Sequence, residues 1–226
     1  MNLFPIGTVS AGSSSGSIDS VSYNFWEPNG VGGSSNVMHN VLTSMFEQQT
    51  ILARKKSEPY LIIPYEYNDI FDREFKQIEH FVDSIEGALT PFWAVDFSRG
   101  QTPSSVADAS GDWTVSIDNT RFYSIVLNQK ASRAFLWDGT NWKEGLVSAI
   151  SANTYIVVDV DTNNYGALTL ANAANSLVYP LYEVFLSKEG LSAFKSTNYV
   201  NEKVTTSKDG GFIRSGSINL VTRYKV

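Results

Sequence analysis

Between residues 68 and 89 the apolar side chains Phe71, Phe75, Ile78, Val82, Ile85 and Leu89 recur at intervals of four, three, four, three and four. That is the period of one helical face, so the spacing predicts an amphipathic helix over about 68–89. Asp72, Arg73, Glu74, Lys76, Gln77, Glu79 and Asp83 form its wet side. Asn68 is placed to cap the first turn by accepting from a backbone N–H, and Asp69 and Asp72 suit the positive end of the dipole. Gly87 is placed to end the helix in the left-handed conformation that glycine reaches cheaply. On either side the pattern loses this period: residues 59–67 (PYLIIPYEY) and 90–97 (TPFWAVDF) are short, aromatic and extended in character. The unit reads strand, helix, strand, with Phe71, Phe75, Ile78, Val82, Ile85, Gly87, Phe92 and Trp93 as its structural core.

The flanking chain is patterned for strands. Residues 1–36 carry two Ser/Gly-rich segments around an aromatic run at 21–26; alone, such segments have much backbone entropy to lose and little to bury, so they read as a partly flexible arm. Residues 37–56 fit a helical period in their first half and a strand in their second. Residues 98–111 read as a connector. The runs 113–117, 122–127, 134–137 and 155–160 are β-like, and Asp138-Gly139 signals a tight turn between Trp137 and Trp142. Runs at 177–186, 198–206 and 213–222 follow, the last two joined as a hairpin across Asp209-Gly210-Gly211. The expected fold is mainly β, an α+β arrangement with one packed helix. Its core is 1–103 plus 177–226, and a small all-β module at 104–176 is inserted into it.

Composition supports this class. Only 18% of the 226 residues are charged, and 13% are aromatic. The net charge of −6 argues against a nucleic-acid surface, which needs clustered Lys and Arg; Arg54, Lys55 and Lys56 are the one basic cluster. There is no cysteine, hence no disulfide, thiol nucleophile or thiolate metal site. No stretch approaches the roughly 20 apolar residues of a membrane span, so membrane insertion is not expected.

Candidate chemistry is thin. Gly12-Ser13-Ser14-Ser15-Gly16 matches a hydrolase elbow by letters, but lies inside a Ser/Gly run rather than between a buried strand and a helix. The Gly7 to Gly12 spacing of a phosphate loop has Ser13 where a lysine is required. The histidines, His39 and His80, have no identifiable carboxylate partner for general-base work. Asp159, Asp161 and Asn163 alternate as in a calcium loop, yet Asn164 and Leu170 occupy the positions that need Gly and Glu. The sequence thus supports no catalytic residue, cofactor or metal. The aromatic group Trp113, Phe122, Tyr123, Phe135, Trp137 and Trp142 has two readings: core filling of a small β-module, or a sugar-stacking platform centred on Trp137 and Trp142.

The central unit resembles the distal tail proteins of long-tailed bacteriophages. The resemblance rests on Gln48-Gln49-Thr50-Ile51-Leu52-Ala53-Arg54, on Ser57-Glu58-Pro59-Tyr60, on Phe81, Ile85, Glu86 and Gly87 of the helix, and on Thr90-Pro91-Phe92-Trp93 with Asp96. Residues 179–222 look like the closing strands of such proteins. Glu86 departs from the pattern, which commonly has arginine before the glycine. The resemblance implies a tail-tube-like β-sandwich or barrel with an amphipathic helix. It further implies a non-enzymatic virion protein, made in the host cytoplasm, that forms a ring, usually a hexamer, at the distal end of the tail tube. Its partners would be copies of itself, the tail tube protein and the tip or baseplate hub protein, with DNA passing through the lumen without stable binding. A carbohydrate-binding module or host-glycan-binding tail component is the alternative.

Overall fold

In strands, alternation decides which side chains are covered, and in this chain it runs through two long segments that organise the rest. The computed structural model describes residues 2–4, 7–9, 15–18, 21–24, 36–38, 41–46, 49–54, 60–85, 90–109, 112–127, 130–137, 142–159, 176–187, 191, 194–200 and 211–223; before Leu61 the one side chain described is that of Phe4. Among these residues the chain is mainly β, with one α-helix. The strands are β1 (Asn2–Leu3), β2 (Gly7–Val9), β3 (Ser15–Ile18), β4 (Val21–Asn24), β5 (Asn36–Met38), β6 (Val41–Phe46), β7 (Gln49–Arg54) and β8 (Tyr60–Phe71). Then come helix α1 (Asp72–Ser84), β9 (Phe92–Val95) and a short 3-10 helix at Phe97–Arg99. The remaining strands are β10 (Ser105–Ala109), β11 (Asp112–Ser116), β12 (Arg133–Trp137), β13 (Trp142–Ser151), β14 (Tyr155–Asp159), β15 (Leu177–Leu186), β16 (Lys195–Val200) and β17 (Gly211–Thr222).

β15 is the branch point. On one edge it pairs with β12 from Leu177 to Leu181 and then, from Val184 to Leu186, with β17. On the other edge it pairs with β9, Leu181 with Val95 through Val184 with Phe92. From β12 the sheet continues through β13, β14 and β11 to β10; from β9 it continues through β1, β2 and β3 to β4. From β17 it continues to β8 and β5, while β16 takes the first half of β17. β6 and β7 form a separate hairpin. Gly145 is required by a close approach in the β12–β14 block: a Cβ there would lie 2.2 Å from the Asp159 carbonyl oxygen.

The strands at 105–159 form one antiparallel block, and their buried side chains Trp113, Val115, Leu136, Ile156 and Val158 belong to the same cluster as Leu61, Ile63, Tyr65, Phe75, Ile78 and Phe81. One hydrophobic core therefore runs from the helix into the 104–176 segment.

The helix starts later than its sequence suggests. β8 runs on through Asn68 and Asp69 to Phe71, because these two residues oppose the single Ser215 of β17 in a bulge. Asp69 takes a positive φ of 53°, its amide donates to Ser215 Oγ at 2.9 Å, and the Ser215 hydroxyl donates to Asp69 Oδ1 at 3.2 Å. Asn68 therefore does not cap the helix. The N-cap is Phe71, whose amide donates to Glu74 Oε2 at 2.8 Å. Phe71 is itself 41% exposed rather than core. Along α1 the buried face is Phe75, Ile78, Phe81 and Ile85, with Val82 at its margin. Gly87 and Leu89 lie outside the described residues.

Three other expectations are corrected. The first half of 37–56 is strand, in β5 and β6. The connector at 98–111 contains the 3-10 helix and β10, which pairs with β11 through Ala109 opposite Asp112. The β-like run at 122–127 is not a strand: it turns, with one bridge from Tyr123 to Ala131, and exposes Ile125, Val126 and Leu127. The pairing of Trp137 with Trp142 encloses residues 138–141, and these, Asp161, Asn163 and residues 201–210 all lie outside the described residues.

Candidate binding cleft at the sheet junction

Successive strand residues face opposite ways, and β9 uses this to serve two sites. Phe92 is buried in the main core against Phe81, ring centroids 5.2 Å apart. Trp93, expected as core, is half-buried on the opposite face. There it neighbours a second small cluster of Val95, Phe135, Tyr179 and Leu181. Where β15 leaves β12 and before it gains β17, the sheet has a notch. A cleft of about 240 Å3 opens there, lined by Trp93, Arg133, Glu183, Ser132, Leu127 and Leu146, with Lys130 at its wall.

Its charged groups are held in place by partners. Arg133 pairs with Glu144, and its guanidinium lies 5.2 Å from the Trp93 ring centroid. Glu183, the cross-strand partner of Trp93, accepts from Arg223 NH1 at 2.6 Å. Lys130 Nζ donates to the Arg121 carbonyl at 3.1 Å.

At the end of β9 lies a buried polar group whose first residue, Asp96, the sequence marked only as part of the resemblance. Asp96, fully buried, accepts from the Ser98 amide at 3.2 Å and hydroxyl at 2.6 Å, and its other oxygen stands 3.4 Å from Arg99 Nε. Arg99 donates to Tyr182 OH at 3.2 Å and lies 4.5 Å from the Phe122 ring centroid. Tyr65 OH donates to the Val95 carbonyl at 2.6 Å. With no exposure to solvent, Asp96 can anchor the turn after β9 but cannot meet a substrate.

These phenols set a pH dependence. Burial pushes Tyr65, Tyr67 and Tyr123 well above 10.0, and Tyr182 up to about 12. The fold thus favours the neutral form; its contribution is complete below the unfolded value near 10 and is lost as pH rises towards the folded values. Alkaline titration followed by phenolate absorbance and circular dichroism should show these tyrosines ionising only as the fold is lost. Ionisation of all 11 tyrosines with the dichroism intact would contradict their burial.

Other sequence candidates disperse. Trp113, Tyr123 and Phe135 are buried as core, and Lys143 Nζ stands 4.2 Å from the Trp113 ring centroid. Trp137 is half-buried against the small cluster, and the side chain of its partner Trp142 is outside the described residues. His80 is half-buried on α1. Among the described residues no group of three His, Asp or Glu side chains could hold a metal, and no helix is long and apolar enough to cross a membrane. No protein-family model matches the chain, and no curated protein matches its sequence.

Proposed function

We propose that this chain is a non-enzymatic structural subunit of a bacteriophage tail, assembling as a ring, expected to be a hexamer, at the distal end of the tail tube and joining it to the tip or baseplate hub. The observation that carries the reading is the succession β8, α1, β9 on one continuous core, the unit on which the resemblance to distal tail proteins rests. The sheet also suits assembly. Among the described residues its longest path ends in β10 and β4, each with a single strand neighbour. Edges of this kind are a hazard in a monomer and are satisfied by head-to-tail contacts between copies, which close into a ring when the rotation per copy divides a full turn. In this reading the helix packs on a tail-tube-like β-sandwich, the 104–176 module faces outward, and the protein resides in the virion.

Light scattering on the purified chain, with negative-stain imaging of the same peak, tests it. The expected result is a closed particle with a central hole and a mass near six times 25.0 kDa. A species that stays at 25.0 kDa at every concentration, and does not add to isolated tail tubes, would overturn the proposal.

A further inference from the structure

We infer that the notch between β12 and β17 is a binding site for a single neutral sugar ring, with Trp93, Arg133 and Glu183 as its contact residues. The inference does not depend on the ring reading. Size comes first: pockets for drug-sized ligands run to roughly 300–1,000 Å3, and a cleft of about 240 Å3 lies below that range, with room for one pyranose. The lining matches that shape. A pyranose has apolar C–H faces and a hydroxyl rim. The indole of Trp93 with Leu127 and Leu146 offers apolar surface for the first, while the Glu183 carboxylate, the Arg133 guanidinium and the Ser132 hydroxyl can hydrogen-bond the second.

Electrostatics argue for a neutral ligand. Arg133 is committed to Glu144 and Glu183 to Arg223, and Lys130 at the wall is held by the Arg121 carbonyl, so every charged group of the lining is already engaged by the protein rather than set out to neutralise a ligand. The same pairings hold both planar groups in fixed geometry, which lowers the ordering cost of binding. Leu127 of the lining is 61% exposed and follows Ile125 and Val126, also exposed, in the turn at 121–127.

The test is saturation-transfer NMR on the full chain with three probes: methyl β-D-glucopyranoside, methyl β-D-galactopyranoside and the methyl glycoside of N-acetylglucosamine. At least one is expected to bind weakly, with affinity falling about tenfold in Trp93→Ala, the loss of one stacked aromatic contact, and also falling in Glu183→Gln. Circular dichroism of each variant checks folding, and Trp93→Phe substitutes if Trp93→Ala does not fold. Absence of transfer to all three probes overturns the inference. So does loss of transfer in Trp137→Ala with full retention in the Trp93 variants, which would move the site to Trp137. Displacement of the sugar by inorganic phosphate would likewise overturn the assignment to a neutral ligand.

Discussion

Ile78→Asp is expected to abolish folding. Ile78 has no solvent exposure and sits at the centre of the buried face of α1, between Phe75 and Phe81. Aspartate there must either desolvate an unpaired carboxylate or pull the helix off the sheet. Changes of that kind cost about 4–5 kcal/mol or more, comparable with the whole stability of a domain, about 5–15 kcal/mol. The matched control is Ile78→Val, which removes one methyl group and should cost about 1 kcal/mol. Thermal denaturation followed by circular dichroism reads both. A soluble Ile78→Asp protein with unchanged melting temperature would mean that the helix presents a different face to the sheet.

Phe4→Ala should be nearly as damaging, although Phe4 stands almost at the beginning of the chain. Its ring is 1% exposed and meets Phe81 at 5.0 Å, Tyr65 at 5.6 Å and Phe92 at 5.7 Å between centroids. It thus joins α1, β8 and β9 at one point. Its amide donates to the Trp93 carbonyl at 3.0 Å, extending the parallel pairing of β1 with β9. Truncation leaves the amide in place and empties an aromatic site, for which about 3–5 kcal/mol is expected. Urea denaturation should show a lower midpoint with the slope retained. A loss below about 1 kcal/mol would show that the N-terminal residues do not dock into the core.

How far each of these positions could be read from sequence differs for a physical reason. The burial of Ile78 follows from a 3.6-residue period that any helix imposes on its own side chains. The strands β8 and β15 follow in the same way, from alternation and from apolar length. The pairing of β16 with β17 follows from paired β-runs, whereas β10, which pairs with β11, lies in the polar stretch whose composition reads as a connector. Phe4 had no such signal. It is a lone aromatic beside Pro5, and nothing local distinguishes it from an exposed residue until three other aromatics converge on it.

The helix boundary shows the same division within one element. Asn68 and Asp69 are good capping residues by chemistry, but β17 offers a register in which both oppose Ser215, and the bulge keeps them in the strand. Phe71 fits the helical period by count, yet extended backbone at the N-cap leaves it partly in solvent. The run at 122–127 is β-like in composition, and with no partner strand among the described residues beyond the one bridge to Ala131 it turns instead.

The sequence by itself thus determined the class of the fold, the face of the helix and the positions of β7 to β9, β11, β12 and β14 to β17, since these depend on the local geometry of side chains along one element. Tertiary structure alone decided the point where strand becomes helix, the docking of Phe4, and the turning of Trp93 out of the core into a cleft with Leu127, Arg133 and Glu183. Those outcomes depend on which strands lie beside one another, and β15 exchanges one edge partner for another between residues separated widely in the chain. No local pattern encodes that exchange.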